Sequence, residues 1–119
     1  MSSELEDLLK KIQAFSDERD WSQFHTAKNL ILAVSAEVGE LAEVVQWKSD
    51  QEAVEYLKTP EGKNKLSEEV ADVAIYLLRI CQQQNLNFIA HIFITLLIMF
   101  AGVAEPLRSA STLLAMPFI

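Results

Sequence analysis

The chain has 119 residues and a formal net charge of -7; half of its residues are hydrophobic, with only three glycines and three prolines. That is room for one domain with a modest core, and it disfavours disorder while favouring helix. The acidity argues against a duplex-binding surface, because phosphate backbones are held by clustered Lys and Arg, and the single cysteine, Cys81, excludes an intrachain disulfide.

Ser3-Glu-Leu-Glu6 has the form of a capping box. Leu5, Leu8, Leu9, Ile12 and Phe15 follow it at helical spacing, which predicts a first helix over roughly residues 3–18. The polar and aromatic segment Asp20-Trp-Ser-Gln-Phe-His25 breaks the period. Thr26 then caps a second predicted helix running to about Trp47, with Leu30, Ile31, Val34, Leu41 and Val44 as its core stripe. Ser49-Asp-Gln-Glu52 opens a short helix near residues 50–57. Thr59-Pro60 opens another, a capping hydroxyl followed by proline at the first helical position. That helix is expected to carry Leu66, Val70, Val73, Leu77 and Ile80 inward and to end near Gln84. No alternating strand pattern competes, so the fold class is all-α: a bundle of four to five helices. Cys81 falls inside an apolar helical pattern and reads as a core residue.

The last third differs in composition. No formally charged residue stands between Arg79 and Glu105, and Phe88 to Ala104 is almost wholly apolar apart from His91, Thr95 and Gly102. Those 17 residues sit at the lower edge of a bilayer span, for which about 20 is typical. A buried helix at a dimer interface explains the same run and is the preferred reading. Glu105-Pro106 and the tail to Ile119 show no clear element. No basic segment leading into an apolar stretch opens the chain, so the cytoplasm is the expected compartment.

Chemistry concentrates in two short acidic motifs, Glu37-Val-Gly-Glu40 and Glu69-Val-Ala-Asp72. Each places two carboxylates three residues apart on one helical face. One such pair is common on a solvated face. Two pairs, each embedded in apolar sequence, are less easily explained that way. Facing each other, the four carboxylates would repel unless a cation sat between them, and oxygen-only ligation suits Mg²⁺ or Mn²⁺, the ions that accompany phosphate substrates. Steps of three and four join His25, Asn29, Ala33, Glu37, Glu40, Val44 and Trp47 along one edge of the second helix. Glu69, Asp72 and Tyr76 make a similar edge on the later one. Trp21, Trp47 and Tyr76 are placed to border a base, and Lys48 to meet a phosphate. The plainer alternatives are a capping or loop role for His25, core aromatics for Trp47 and Tyr76, and a surface lysine for Lys48. Glu43 and Glu68 are phased differently and read as solvent-facing or as outer neighbours of the acidic set. No phosphate-cradling glycine loop, Cys/His metal spacing or serine elbow is present.

These residues resemble the all-α nucleoside triphosphate pyrophosphatases, the MazG-like and dCTP pyrophosphatase group. The resemblance runs from Arg19-Asp-Trp-Ser-Gln-Phe-His25 through Asn29 and Glu37-Val-Gly-Glu-Leu-Ala-Glu-Val-Val-Gln-Trp-Lys48. It resumes at Leu66-Ser-Glu-Glu-Val-Ala-Asp-Val-Ala-Ile-Tyr-Leu77 and covers roughly the first 87 residues of a single 1–119 domain. It implies Mg²⁺-dependent hydrolysis of a nucleoside triphosphate, with dCTP closest to the Trp-bearing pattern, to monophosphate and pyrophosphate. On that basis Glu37, Glu40, Glu69 and Asp72 hold the metal and one of them assists the attacking water. Trp21, His25, Asn29, Trp47 and Tyr76 match the family's base and sugar pocket. A homodimer or homotetramer is implied too. Residues 88–119 depart from the family: the usual Lys/Asn pair and Lys-Tyr-Pro-like segment do not follow. Two other readings therefore stay open at this point, a nucleotide-binding or assembly protein without catalysis, and a membrane-attached form using residues 88–104.

Overall fold

The structure, a computed structural model, describes residues 3–102, and in them five α-helices and one 3-10 turn. Backbone contacts divide the chain into two units, Met1–Asn85 and Leu86–Ile119. The first unit contains α1 (Glu4–Glu18), a 3-10 turn (Trp21–Gln23), α2 (Ala27–Glu43), α3 (Asp50–Lys58) and α4 (Pro60–Gln83). Of the second, the described element is α5 (Phe88–Ala101). The expected all-α class holds among the described residues.

Local chemistry accounts for most boundaries. The Ser3 hydroxyl accepts from the Glu6 amide and the Glu6 carboxylate accepts from the Ser3 amide, so both halves of the capping box form. Ser49 and Glu52 repeat the device at α3. Thr26 caps α2 through the Asn29 amide, and Thr59 caps α4 through the Gly62 amide with Pro60 at the first position. Asp20 and Asn85, at φ 55° and 53°, take the left-handed conformation at the two breaks after α1 and α4, which short polar side chains tolerate. The second helix departs from expectation. It ends at Glu43, and the Val44 and Val45 amides reach back only three residues, to Leu41 and Ala42. Val44 and Val45 are weaker helix formers, the last turn is tightened, and Trp47 falls in a non-helical connection.

In the first unit α4 is the common partner: α1, α2 and α3 all pack on it, α2 most extensively. Its covered stripe is Gly62, Leu66, Glu69, Val73, Tyr76 and Ile80, a run of four- and three-residue steps. Val70 and Leu77, expected to point inward, are instead half-exposed, and their neighbours Glu69 and Tyr76 take the inward places. On α2 the matching stripe is Leu30, Val34, Glu37, Leu41 and Val44, whereas Ile31 faces out. Each of the two principal helices therefore carries a glutamate in the middle of its covered stripe. Only Leu30, Val44 and Leu78 are fully buried hydrophobic side chains among the described residues.

In the second unit, Asn87 caps α5 through the Ala90 amide, and Gly102, at φ 61°, ends it in the left-handed conformation. The helix has 14 residues, shorter than the 88–104 run, and no single described helix is long and apolar enough to cross a membrane. Glu105-Pro106 and the tail lie outside the described residues.

Two glycines on these helices should respond oppositely to alanine. At Gly62 a Cβ would run into the backbone of Tyr56 and Leu57 where α3 turns into α4, whereas at Gly39, inside α2, it meets nothing. Thermal melting should show Gly62→Ala destabilised by about 1–3 kcal/mol and Gly39→Ala stabilised by about 0.5–1 kcal/mol.

Candidate active site

The two stripe glutamates meet. Single carboxylate oxygens of Glu37, Glu40 and Glu69 lie within 4.8 Å of one another, two from α2 and one from α4. Glu69 is 3 % exposed. Its Oε1 is 2.5 Å from Lys65 Nζ, one turn back on the same helix, and its buried Oε2 has no hydrogen-bond partner. A buried ionised oxygen without a partner is costly. The Lys65 ammonium, its pKa raised first by the hydrogen bond to Glu69 and then by that carboxylate's charge, answers one of the two oxygens. Glu37 is held above the usual carboxylate range by burial, then by the negative charges of Glu40, Asp72 and Glu69. Asp72 therefore lies within the electrostatic reach of the cluster although it stands outside the three-oxygen contact. An all-oxygen, anionic donor set with an orphaned buried oxygen fits a hard divalent cation.

Beside this cluster is a cavity of about 400 Å³ between α1, the 3-10 turn and α4. Asp72, Tyr76, Trp21 and His25 line it, together with Phe15, Ile75 and Arg79. The Trp21 ring stands edge-on to Phe15 at 5.5 Å between centroids and tilted toward His25 at 5.9 Å. Arg19 lies over Phe15 at 3.4 Å and bonds that residue's carbonyl, which steadies the aromatic wall. His25 Nδ1 accepts a hydrogen bond of 2.9 Å from Arg79 Nε. Burial, and then the Arg79 charge, pulls His25 below its ordinary pKa. Asp72 is the one residue of the expected metal set that also borders this cavity.

Three expected site residues fall outside both groupings. The Asn29 side-chain amide donates to the Phe24 carbonyl at 2.9 Å and so closes the entry to α2. Trp47, in the connection after α2, is 88 % exposed. Lys48 Nζ sits 4.4 Å over the Tyr56 ring on α3. The expected stripe from His25 to Trp47 is broken physically because α2 ends at Glu43. In the other direction, Arg79 and Phe15 line the cavity but belong to neither acidic motif nor to the expected aromatic set. Asp72, Tyr76 and Arg79 follow at steps of four and three, so helical phase alone contains the signal for Arg79. Phe15 joins only because the turn after α1 folds Trp21 back onto it. Glu43 and Glu68 are exposed, as expected, and Glu68 accepts from Asn64 on its own helix.

Comparison with known proteins places this arrangement. The chain is 49 % identical over 83 residues to dCTP pyrophosphatase 1 of Rattus norvegicus, covering 70 % of this chain and 49 % of that protein. Against dCTP pyrophosphatase 1 of Homo sapiens it is 49 % identical over 74 residues, 62 % of this chain and 44 % of the relative. The chain thus spans about half the length of these curated relatives. A crystal structure of a pyrophosphatase from Archaeoglobus fulgidus superposes with a TM-score of 0.80 at 35 % identity, covering 88 % of this chain and 96 % of that one. No family profile matches the chain. With this fold and these identities, the chain belongs to the all-α, MazG-like nucleoside triphosphate pyrophosphatase group.

The charge cluster makes a prediction for the metal-free protein. A raised carboxylate pKa means the folded state holds the proton more tightly than the unfolded chain, so Glu37 adds stability as pH falls toward and below its folded pKa. That contribution is lost as pH rises through it, in the window above the ordinary value of 4.5. Glu37→Gln, which removes the repulsion, should raise the metal-free melting temperature at pH 7 by about 2–4 °C. The wild type should gain more than the variant when millimolar MgCl₂ is added, read by differential scanning fluorimetry.

Proposed function

We propose that this chain hydrolyses a deoxynucleoside triphosphate to the monophosphate and pyrophosphate, with dCTP the first substrate to test. The reading rests on the converging oxygens of Glu37, Glu40 and Glu69, with the buried unpartnered Oε2 of Glu69, beside an aromatic-walled cavity that shares Asp72 with them. It is supported by relatives that bear the name dCTP pyrophosphatase 1.

On this reading Glu37, Glu40, Glu69 and Asp72 hold Mg²⁺ or, alternatively, Mn²⁺. A bound ion there supplies a Lewis acid for phosphate oxygens and lowers the pKa of water. The protein's own part is positioning. Trp21 and Tyr76 border the base, His25 meets its edge, and Asp72 joins the base end of the site to the acidic end. A carboxylate oxygen of the cluster accepts a proton from the attacking water. The water oxygen then bonds to the α-phosphorus, the bond to the bridging oxygen breaks, and pyrophosphate leaves. The acidic net charge suits a triphosphate only when cations reverse the local field. Such a substrate pool lies in the cytoplasm.

The same reading includes a homodimer or homotetramer. Ile31, Leu32 and Val38 on α2, and Val70 and Leu77 on α4, are 40–59 % exposed, apolar surface that a second copy can cover. Light scattering on the purified protein should give a mass of two or four chains, and a monomer at micromolar concentration would refute the assembly.

Pyrophosphate release from dCTP should require added Mg²⁺. It should fall on the order of 100-fold or more in Glu40→Gln and in Asp72→Asn. Turnover unaffected by either substitution would sink the site assignment. Thermal stabilisation by dCTP and Mg²⁺ without any product would leave a binding protein in place of the enzyme.

A further inference from the structure

Arg79 is the most deeply buried large side chain among the described residues apart from Leu30, at 2 % exposure. It lines the cavity, and its hydrogen bonds go to neutral acceptors on α1, α4, the 3-10 turn and the connection after that turn. Nη1 reaches Gln13 Oε1 on α1 at 2.6 Å and Gln82 Oε1 on α4 at 3.2 Å. Nη2 reaches Ser22 Oγ in the 3-10 turn at 3.2 Å, and Nε reaches His25 Nδ1 at 2.9 Å. Gln82 is fixed in turn by its own amide, which donates to the Leu9 carbonyl at 2.7 Å. The guanidinium is therefore held from α1, the 3-10 turn and α4 at once, and its Nε–H has one direction available.

That direction determines what His25 can offer. A guanidinium only donates, so the Nδ1 it meets must present its lone pair. The neutral ring then carries its proton on Nε2. Protonating Nδ1 would set an N–H against an N–H and a cation against a cation. We infer that Arg79 is a positioning residue: it locks His25 in the Nε2–H tautomer, so the cavity takes a planar ring through an unprotonated acceptor, a carbonyl oxygen or a pyridine-type nitrogen. The selection rests on the cavity being the base pocket proposed above, whereas the tautomer rests on the Arg79 contact alone. The lowered pKa of His25 is in keeping with a ring that stays neutral beside a fixed positive charge.

The test separates these two parts. Long-range ¹H–¹⁵N NMR of the full chain, with His91→Gln to assign the second imidazole, should show His25 at pH 7 as a single neutral Nε2–H tautomer. Arg79→Met should give a mixture of tautomers, and Arg79→Lys, which keeps a donor, should restore the Nε2–H form in part. A wild-type ring protonated on Nδ1 overturns the inference without any variant being needed, so a poorly folding Arg79→Met does not blunt the test. Deoxycytidine, which needs neither metal nor phosphate, is then titrated into the wild type. It should shift the His25 Nε2–H signal and bind about tenfold more weakly to Arg79→Met than to wild type. Saturating deoxycytidine that moves the Trp21 indole signal but leaves His25 unmoved overturns the selecting role. The tautomer result stands whether or not dCTP is hydrolysed, so failure of the hydrolase reading and failure of this inference give different records.

Discussion

The seating of Glu69 in the covered stripe of α4 is the constraint around which the first unit is arranged. An ionised carboxylate at 3 % exposure is tolerated only with partners, and a single surface-reaching lysine answers one of its oxygens. One of its carboxylate oxygens lies within 4.8 Å of oxygens of Glu37 and Glu40 on α2, and Oε2 has no hydrogen-bond partner. A hydrophobic residue at that position would let the two helices pack without tension. The glutamate concentrates negative charge where α2 meets α4, and burial followed by the charges of Glu40, Asp72 and Glu69 raises the cost of ionising Glu37. On the proposed reading, a cation held among these carboxylates would relieve that repulsion. The stripe on α2 repeats the arrangement with Glu37, so the site is built from both cores rather than appended to a surface.

A second buried charge lines the cavity. Arg79 ties α1, the 3-10 turn and α4 together through Gln13, Ser22, His25 and Gln82. With few fully buried hydrophobic side chains in this unit, such polar crossings carry an unusual share of its definition. Burial pulls the Arg79 pKa down and the charge of Asp17 opposes that, yet a guanidinium remains ionised throughout the physiological range. The cavity is walled by Phe15, Trp21, Ile75 and Tyr76, with Asp72 and Arg79 both on its lining.

The apolar residues left facing outward on α2 and α4 have the same origin. Where Glu69, Tyr76 and Arg79 take inward places, residues such as Val70 and Leu77 are turned toward solvent. A helix has one circumference, and polar groups given the interior displace apolar ones to the rim. Function and exposed hydrophobic surface are coupled here through helical phase alone.

Much of this was written in the sequence. The caps Ser3, Thr26, Ser49 and Thr59 set the helix starts, because capping is a contact between residues three apart and needs no tertiary partner. The two acidic motifs were legible for the same reason, since i,i+3 spacing brings two carboxylates to one face in any helix. The sequence could not specify which face would be covered. Leu66, Val73 and Ile80 were placed correctly, but a rotation of one residue decided between Val70 and Glu69 and between Leu77 and Tyr76. That rotation depends on what α1, α2 and α3 present to α4. It likewise could not show that α2 stops short of Trp47, or that the turn after α1 brings Trp21 onto Phe15 and His25 onto Arg79. Spacing along one helix is a local property. The meeting of Gln13, Ser22, His25 and Arg79 spans up to 66 residues of chain, and only packing could decide it.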